Sequence, residues 1–512
     1  MPARVVSFFL CLTIALLAAC DGHNARRPGV LRIGLEGNPT NLDPRLATDA
    51  YSTRIVPLVY EGLLRQRRDG GVEPALAESY SQPDERTYRF VLRENVRWHD
   101  GQPLRSADVA ATFRYLADPA NGCPSQDTYQ RIAEIRTPDE RTVELVLAEP
   151  FAPFLDKMVR PLVPAHRQDP AALEAEPVGT GPYRLASFER GRMITLTANP
   201  DYWRGAPAIA TLEFVVLAND TSRLLRLKKG DIDLVQNAVP PYAVRFFEEM
   251  DGYVVRRETG INYSYLGFNL TDKKGLVSDV RVRRAIAHAI DRERIIKALL
   301  FGMARPATGL ISPDNWAYAA DVPTYAYDPA RAKALLDEAG FPDPDGDGPL
   351  PRFTLSYKTS TNKLRMRIAE VMAEQLAQVG VALERRSLEW GTFFQDVKSG
   401  NFQTFTLTWV GVTDPDHYFY VFHSSMQPPH GANRGRYVNA QVDQWLEESR
   451  LALDPARRRE LFVAVQRKLA EDCVYVSLWW ADNVVVHTAR LRGFEIMPGG
   501  DYSSLAKATL SP

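Results

Sequence analysis

The chain has 512 residues, of which 45% are apolar, and its 62 basic residues nearly balance its 63 acidic residues. This length exceeds what one hydrophobic core usually supports, so we expect two or three lobes of roughly 150 residues each. The charges are interspersed, which excludes a continuous basic surface for nucleic acid, and the composition excludes a largely disordered chain.

The first nineteen residues differ from the rest of the chain. A basic residue precedes an apolar run from Val5 to Ala19, which is too short for a resident transmembrane helix and is typical of a signal peptide. The run ends in Leu-Ala-Ala-Cys, which resembles the lipobox of bacterial lipoproteins, in which a cysteine, here Cys20, is lipidated and becomes the amino terminus. Asp21 resembles a signal for retention at the inner membrane. We therefore predict a signal peptide over residues 1–19 and a lipidated tether over residues 20–29.

Short strands dominate the first half of the chain. Alternating apolar and polar residues, and short apolar runs bounded by turn residues, predict strands at residues 30–35, 87–92, 142–147, 183–188, 193–197 and 211–217. Three helices are predicted in this half. One covers residues 53–64, one begins at an N-cap formed by Ser106, and one runs from residue 221 and ends at Gly230. His99 lies beside Asp100 in a turn with no nucleophile near it in sequence, so we interpret it as structural.

Helices and strands alternate after residue 269, which indicates a second lobe. The pattern predicts helices at residues 282–290, 329–339, 363–379, 389–398 and from 455, and strands at 353–357, 381–385, 403–409, 474–480 and 483–487. Residues 353–385 form a βαβ unit, so we expect the strand of residues 403–409 to end at the carboxyl edge of one mostly parallel sheet. Open α/β sheets bind ligands at that edge.

The strand that ends at Trp409 carries polar groups to this edge. Its apolar and threonine residues alternate, and it then breaks into a segment that cannot continue a strand, with Gly411, Thr413, Asp414 and Asp416. An indole and two carboxylates thus follow the strand directly. We predict that this segment contributes to a ligand site.

Five motifs carry a resemblance to a known family: Tyr60-Glu61-Gly62-Leu63, Trp98-His99-Asp100-Gly101, Gly179-Thr180-Gly181-Pro182-Tyr183, Asn199-Pro200-Asp201-Tyr202-Trp203 and Val282-Arg283-Arg284-Ala285-Ile286. As a set they resemble the peptide/nickel (family 5) extracellular solute-binding proteins of ABC transporters. The resemblance implies an α/β, two-lobed periplasmic-binding-protein fold with mixed sheets, a hinge between the lobes and an extra subdomain in the first lobe. It implies a lobe I core of residues 30–60, 180–260 and 485–512, a subdomain of residues 61–179, and a lobe II of residues 261–484.

The resemblance also implies site residues in both lobes. Peptide-binding relatives use residues after a Leu-Asp-Pro motif, here Thr48, Asp49 and Ala50, together with a loop equivalent to Asn262 and Tyr263 and a tryptophan equivalent to Trp409. An aspartate three residues after that tryptophan holds the peptide amine in those relatives, but Val412 stands there in this chain. The amine anchor is therefore either replaced by Asp414 or absent. The ligand carboxylate is expected to meet Arg367 or, alternatively, Arg365.

The function implied is that of a lipid-anchored binding protein on the periplasmic side of the inner membrane. It would enclose a short peptide or peptide-like solute between its lobes and deliver it to the transmembrane subunits of an ABC permease. We expect a monomer with no cofactor, no catalytic activity and no nucleic-acid partner. A sensory role, in which the ligand is presented to a receptor, remains an alternative.

Two further hypotheses rest on single motifs. His417, His423 and His430 raise the possibility of a metal chelate such as a nickel metallophore as the ligand, although their spacing places them on no regular helix face. Ser360 and Lys363 fit the S-x-x-K pattern of serine acyl-enzymes, but no K-T-G motif follows. The sequence leaves open whether Cys123 and Cys473 form a disulfide.

Overall fold

The structure is a computed structural model that describes residues 27–67, 69–124, 126–272, 275–346 and 348–511. The predicted signal peptide and Cys20 lie outside these residues. The strands are β1 (Val30–Leu35), β2 (Leu64–Gln66), β3 (Val72–Pro74), β4 (Ala77–Asp84), β5 (Thr87–Leu92), β6 (Ile132–Arg136), β7 (Thr142–Leu147), β8 (Tyr183–Glu189), β9 (Met193–Ala198), β10 (Thr211–Val216), β11 (Leu234–Gln236), β12 (Tyr253–Phe268), β13 (Ala304–Pro306), β14 (Phe353–Ser360), β15 (Val381–Leu388), β16 (Thr404–Trp409), β17 (Tyr475–Thr488), β18 (Leu491–Arg492) and β19 (Thr509–Leu510).

The α-helices connect and cover these strands. They are α1 (Ala50–Val59), α2 (Ser106–Ala117), α3 (Gln126–Tyr129), α4 (Phe154–Lys157), α5 (Pro170–Ala175), α6 (Asp220–Lys229), α7 (Pro241–Glu248), α8 (Val280–Ala289), α9 (Arg292–Leu299), α10 (Pro329–Glu338), α11 (Lys363–Ala377), α12 (Trp390–Ser399), α13 (His417–Phe422), α14 (Ala440–Leu451) and α15 (Pro455–Glu471). None of the helices in the described ranges is both long enough and apolar enough to cross a bilayer.

Eleven strands form one sheet in the described chain, in the order β15-β14-β16-β12-β17-β11-β1-β10-β9-β8, with β13 beside β17. Strand β14 is parallel to β15 and β16, and β1 is parallel to β10 and β11. Strands β12 and β17 are antiparallel to each other and to their outer neighbours β16 and β11. The sheet is therefore mixed, and the expectation of one mostly parallel sheet is wrong because two long antiparallel strands run through its middle.

Strands β12 and β17 connect the two lobes. Residues 253–258 of β12 pair with residues 483–488 in the first lobe, and residues 262–267 pair with residues 475–481 in the second. The register shifts between Glu258 and Asn262. A Cβ atom on Gly260 would collide with the carbonyl oxygen of Ala481, so the two backbones approach closely only because residue 260 is glycine. This irregular point coincides with the predicted boundary between the lobes at residues 260 and 261.

Separate apolar cores lie on either side of this boundary. Beneath β1 and β8–β10, Leu31, Ile33 and Phe214 pack with Tyr502 and Leu505 from the end of the chain. Strands β4-β5-β7-β6 form a second sheet with its own core, which includes Phe90. Further cores flank β12, β14, β16 and β17 in the second lobe. The residue boundaries of the three parts remain predictions.

Several predicted elements are confirmed, and four need correction. The bounds of β1, β5 and β7 are those expected. Helix α1 begins at Ala50, earlier than predicted, because Asp49 caps it. Ser106 is inside helix α2, whose N-cap is Arg105. Strands 474–480 and 483–487 are one strand, since β12 pairs with it on both sides of the supposed break, and residues 417–422 form helix α13 where a loop was expected. Cys123 and Cys473 are buried free thiols.

Candidate functional site

The structure places Asn262 and Tyr263 within strand β12, where a loop was predicted, and brings them beside the loop that follows Trp409. Trp409 is opposite Tyr263 in the pairing of β12 with β16. The amide of Gly411 donates a hydrogen bond of 3.0 Å to Asn262 Oδ1. Gly411 has a φ of 67°, in the left-handed region that glycine adopts without strain. This turn places Trp409 at the same edge as the carboxyl ends of β14 and β15.

Tyr263 belongs to the core. Its side chain is 1% exposed, its hydroxyl lies 2.7 Å from Ser477 Oγ, and its ring stacks on Tyr265 at 5.7 Å between centroids. Burial raises the pKa of this phenol. The Tyr263 side chain therefore packs inside the second lobe.

Trp409 is half-buried in a setting of aromatic and basic side chains. His417 meets it edge-on with 4.7 Å between ring centroids, and the guanidinium carbon of Arg434 lies 4.6 Å from its ring centroid. Burial, aided by the nearby Lys157 ammonium, lowers the pKa of His417 to about 4, so its imidazole is neutral at neutral pH. Cation–π contact with Arg434 fixes one face of the indole.

Asp414 pairs with a lysine from the opposite side of the cleft. Its Oδ2 forms an ion pair with Nζ of Lys157, which ends helix α4 in the subdomain. Its Oδ1 accepts a 2.9 Å hydrogen bond from the amide of Asp416, while Thr413 accepts one of 2.7 Å from Asn315 through its carbonyl oxygen. Both carboxylate oxygens of Asp414 thus have protein partners.

Asp416 is also engaged by protein groups. Arg450 binds it in a bidentate manner, with distances of 2.7 Å to Oδ1 and 3.0 Å to Oδ2. Burial favours the neutral acid, but Lys157 and Arg450 outweigh that effect, and the pKa of Asp416 lies below its ordinary value. Conversely, burial opposes the charge on Lys157, yet Asp414 and Asp416 hold its pKa above the usual range. Asp414 and Asp416 are therefore neutralised by cations of the chain itself.

In the first lobe, the residues after the Leu-Asp-Pro motif build the start of helix α1. Asp49 accepts hydrogen bonds from the amides of Tyr51 and Ser52, at 3.0 and 2.9 Å, and from Thr40 Oγ1 at 2.6 Å. Burial opposes its charge, but the hydrogen bonds from Ser52 and Thr40 prevail and lower its pKa. Asp49 is thus an N-cap, and Ala50 is the first helical residue; Thr48 is exposed.

Helix α1 carries Tyr51 and Arg54 to the cleft, and sequence reasoning missed both. Glu36 directly follows β1, and its Oε1 lies 3.8 Å from Arg54 Nη1. A Cβ atom on Gly500 would lie 3.6 Å from Arg54 Nε, and a Cβ atom on Gly411 would lie 3.9 Å from the Cα of Gly499. Arg54 therefore lies beside the place where the two lobes meet. The position of Glu36 after a parallel strand is the one sequence signal that could have pointed here.

The structure distinguishes the two predicted arginines. Arg365 is half-buried, its Nη1 donates to Ser360 Oγ at 3.3 Å, and its guanidinium carbon is 5.4 Å from the ring centroid of Trp390. Burial lowers its pKa, and the nearby Tyr357 phenol acts in the opposite direction. Arg367 is exposed. Of the two, only Arg365 is partly buried and in contact with other side chains of this region.

The residues that suggested a metal site or a serine acyl-enzyme are dispersed. His423 stacks on Phe419 and contacts Ser425, and His430 is exposed. Among the residues that the structure describes, no three histidine, cysteine or acidic side chains come together as metal ligands. Ser360 is buried at the end of β14 and accepts a hydrogen bond from Arg365, while Lys363 is exposed at the start of α11.

Three of the sequence motifs meet at one carboxylate away from the cleft. Glu61 accepts hydrogen bonds from Trp203 Nε1 at 2.8 Å, from the Tyr202 hydroxyl at 2.9 Å and from Thr180 Oγ1 at 3.1 Å. Burial, against these hydrogen bonds, raises its pKa. His99 joins the same region through Gly179 and Gly181. These motifs therefore hold the first lobe together and do not line the site.

The lobes, the hinge and the residues facing each other across it define a two-lobed solute-binding protein. Residues 71–428 match the family model described as "Bacterial extracellular solute-binding proteins, family 5 Middle". The chain belongs to this family of extracellular components of ABC transporters.

Relatives and solved structures agree with this assignment. The oligopeptide-binding protein AppA of Bacillus subtilis is 28% identical, over 98% of this chain and 97% of that protein. The glutathione-binding protein GsiB of Escherichia coli K12 is 29% identical, over 96% of each chain. The structure of AppA in complex with a nonapeptide superposes with a TM-score of 0.82, covering 94% of this chain and 99% of AppA. NikZ of Campylobacter jejuni in complex with Ni(L-His) is 24% identical and shares the fold, with a TM-score of 0.84 over 94% of this chain and 100% of NikZ.

Proposed function

We propose that this protein is the substrate-binding lipoprotein of an ABC importer, and that it captures a short peptide or peptide-like solute between its lobes and delivers it to the membrane permease. The observation that carries the proposal is the presence of basic and aromatic groups in both lobes: Arg365, Trp409 and Arg434 in the second lobe, and Arg54 in the first, beside the approach of Gly499 and Gly500 to Gly411. Basic and aromatic groups on both sides of a hinge are suited to a solute that is enclosed by closure.

The peptide assignment draws on the relatives. AppA is named as an oligopeptide-binding protein, and its solved structure holds a nonapeptide. GsiB is named for glutathione, which is itself a peptide. Because identity with each is below a third, the class of ligand is carried over and the individual ligand is not.

Anchoring and domain division complete the proposal. Lipidation of Cys20, after removal of residues 1–19, would hold the protein at the periplasmic face of the inner membrane. Residues 30–60, 180–260 and 485–512 form lobe I, residues 61–179 its subdomain, and residues 261–484 lobe II. The register shift in β12 and the separate cores support these boundaries.

Identification of the bound solute tests the proposal. The protein is purified from its native host without unfolding, and the released solutes are analysed by mass spectrometry. In parallel, the thermal midpoint is measured with pooled peptides of two to nine residues and with non-peptide metabolites. We expect a peptide or amide-linked solute and a raised midpoint with at least one peptide pool. A non-peptide solute, together with no response to any peptide pool, would contradict the proposal.

A metal chelate is the second candidate. NikZ, which shares the fold, is seen with Ni(L-His), and in this chain His417 Nε2 lies buried beside Trp409 without a hydrogen-bond partner in the described residues. Elemental analysis of the natively purified protein separates the candidates: stoichiometric nickel or another transition metal favours the chelate, and its absence favours the peptide.

A further inference from the structure

The loop carboxylates beside Trp409 are paired across the lobes. Lys157 comes from the subdomain, and its ammonium forms an ion pair with Asp414 and lies 3.8 Å from Asp416 Oδ2. A lysine ammonium has the same charge and donor chemistry as the α-ammonium of a peptide. Lys157 therefore already supplies the cation that these carboxylates would otherwise take from a ligand.

Arg54, in the facing lobe, differs from these paired carboxylates because two of its nitrogens lack a hydrogen-bond partner among the described residues. Its side chain is 9% exposed, and neither Nε nor Nη1 has a hydrogen-bond partner in the described residues. Glu36 is the nearest carboxylate, but the 3.8 Å between its Oε1 and Arg54 Nη1 is too long for a hydrogen bond. Burial raises the pKa of Glu36, which favours its neutral form. A buried guanidinium without an acceptor is costly, and an anion there would receive charge-assisted hydrogen bonds.

A continuous wall of basic and aromatic groups connects Arg365 with Trp409 in the second lobe. The Arg365 guanidinium lies on Trp390, whose ring stacks on Phe394 at 5.6 Å, and Arg434 lies 5.3 Å from Phe394 and 4.6 Å from Trp409. The second lobe thus contributes the guanidinium groups of Arg365 and Arg434, and the first lobe contributes that of Arg54.

Building on the proposed function, we infer that the site selects an anionic peptide-like solute through its carboxylates and does not require a free α-amino group. Arg54 of the first lobe and Arg365 of the second bind carboxylate oxygens of the solute. The aromatic wall between Arg365 and Trp409 packs against its body. Lys157 makes Asp414 unavailable as an amine anchor.

Matched peptides on one skeleton test this inference by isothermal titration calorimetry. The probes are pools of two to five residues that end in glutamate, prepared in the free form, the N-acetylated form and a form with C-terminal amide and glutamine in place of glutamate. We expect N-acetylation to change the dissociation constant by less than about threefold and loss of the carboxylates to raise it by about tenfold or more. A tenfold loss on acetylation, or equal binding of the amide form, overturns the inference while leaving the proposed function intact.

Two variants and a control assign the effect to residues. Arg54→Gln should weaken the carboxylate forms by about tenfold and leave the amide form unchanged. The control Arg192→Gln, at a side chain that is 76% exposed, should change the affinity for neither the carboxylate forms nor the amide form. In Lys157→Gln, Asp414 loses its lysine partner, so the affinity for the free-amine form should rise about fivefold relative to the acetylated form. If no probe binds at millimolar concentration, the inference fails, and the identity of the native solute separately decides whether the proposed function fails with it.

Discussion

Lys157 and Asp414 form an ion pair between residues 257 positions apart, one at the end of helix α4 in the subdomain and the other in the loop after β16 in the second lobe. A backbone hydrogen bond of 2.7 Å from the amide of Ala152 to the carbonyl oxygen of Arg450 crosses the same boundary. The subdomain therefore contacts the second lobe directly, at the loop that the sequence singled out as a ligand segment.

A double-mutant cycle of Lys157→Gln and Asp414→Asn should show that this ion pair stabilises the protein. Both side chains are largely buried, at 23% and 18% exposure, so we expect a coupling free energy of about 1 to 3 kcal/mol in urea unfolding. The control pair Arg245–Glu249 is 81% and 67% exposed, and its coupling should stay below about 0.5 kcal/mol. Equal coupling in the two cycles would contradict the prediction.

Asp156 should make the protein less stable as the pH rises from about 4 to 7. Burial and then the Asp414 charge raise its pKa from 3.8 to about 7, although Arg458 acts in the opposite direction. Between these values the folded state binds a proton that the unfolded state has lost, so unfolding becomes easier as the pH rises. The free energy of unfolding of Asp156→Asn should exceed that of the wild type by about 1 to 2 kcal/mol at pH 7.5 and should equal it at pH 4. A constant difference between the two unfolding curves would refute this.

His99 should have the opposite pH dependence. Its Nδ1 accepts a hydrogen bond from the amide of Gly179 and its Nε2 donates to the carbonyl oxygen of Gly181, which requires the neutral ring. Burial lowers its pKa to about 4; Arg184 also lowers it and Asp100 opposes this. Its contribution is complete above pH 6.5 and is lost as the pH falls toward 4. Compared with His99→Gln, the wild type should lose about 2 kcal/mol more over that interval in chemical unfolding.

Glu61 should be important for stability and unimportant for ligand affinity. Replacing it with alanine leaves the donors of Trp203, Tyr202 and Thr180 without their acceptor, at an expected cost of about 2 to 4 kcal/mol in unfolding free energy. Trp203→Phe removes one donor and keeps the ring, so it should cost about 1 kcal/mol. A loss of affinity in folded Glu61→Ala protein would place this carboxylate in the site instead.

Arg365 and Arg367 offer a matched pair in the candidate site. Lysine keeps the charge but loses the planar fork, so Arg365→Lys should weaken the best-binding peptide pool by about tenfold. Arg367→Lys, at an exposed position, should change affinity by less than about twofold. Calorimetric titration of both variants checks this, and the reverse order of effects would restore Arg367 as the ligand arginine.

Local patterns predicted those parts of the fold that depend on local chemistry. Strand β5 shows the alternation of Tyr88, Phe90 and Leu92, and its bounds are the predicted ones. The break expected near Asp482 does not exist, because β12 pairs with β17 on both sides of it and β13 pairs with residues 479–481. Such pairing depends on strands that are distant in the sequence.

The site was predictable only in part, for a related reason. The turn at Gly411 and the position of Trp409 follow from the end of a strand, and both are found at the cleft edge. Pairing of Lys157 with Asp414 joins segments that have no local sequence relationship. That Arg54 Nε and Nη1 find no hydrogen-bond partner among the described residues depends on how helix α1 packs against the end of the chain. Tertiary contacts alone determine these properties.

The passage of β12 and β17 through both lobes has a mechanical consequence. Opening and closing must twist a pair of hydrogen-bonded strands at Gly260, where two loose connecting loops would have offered no resistance. The motion therefore has elastic stiffness, and its amplitude is set by how far the ladder can twist before its hydrogen bonds break. A substitution of Gly260 would alter the rates of solute capture and release without touching the solute.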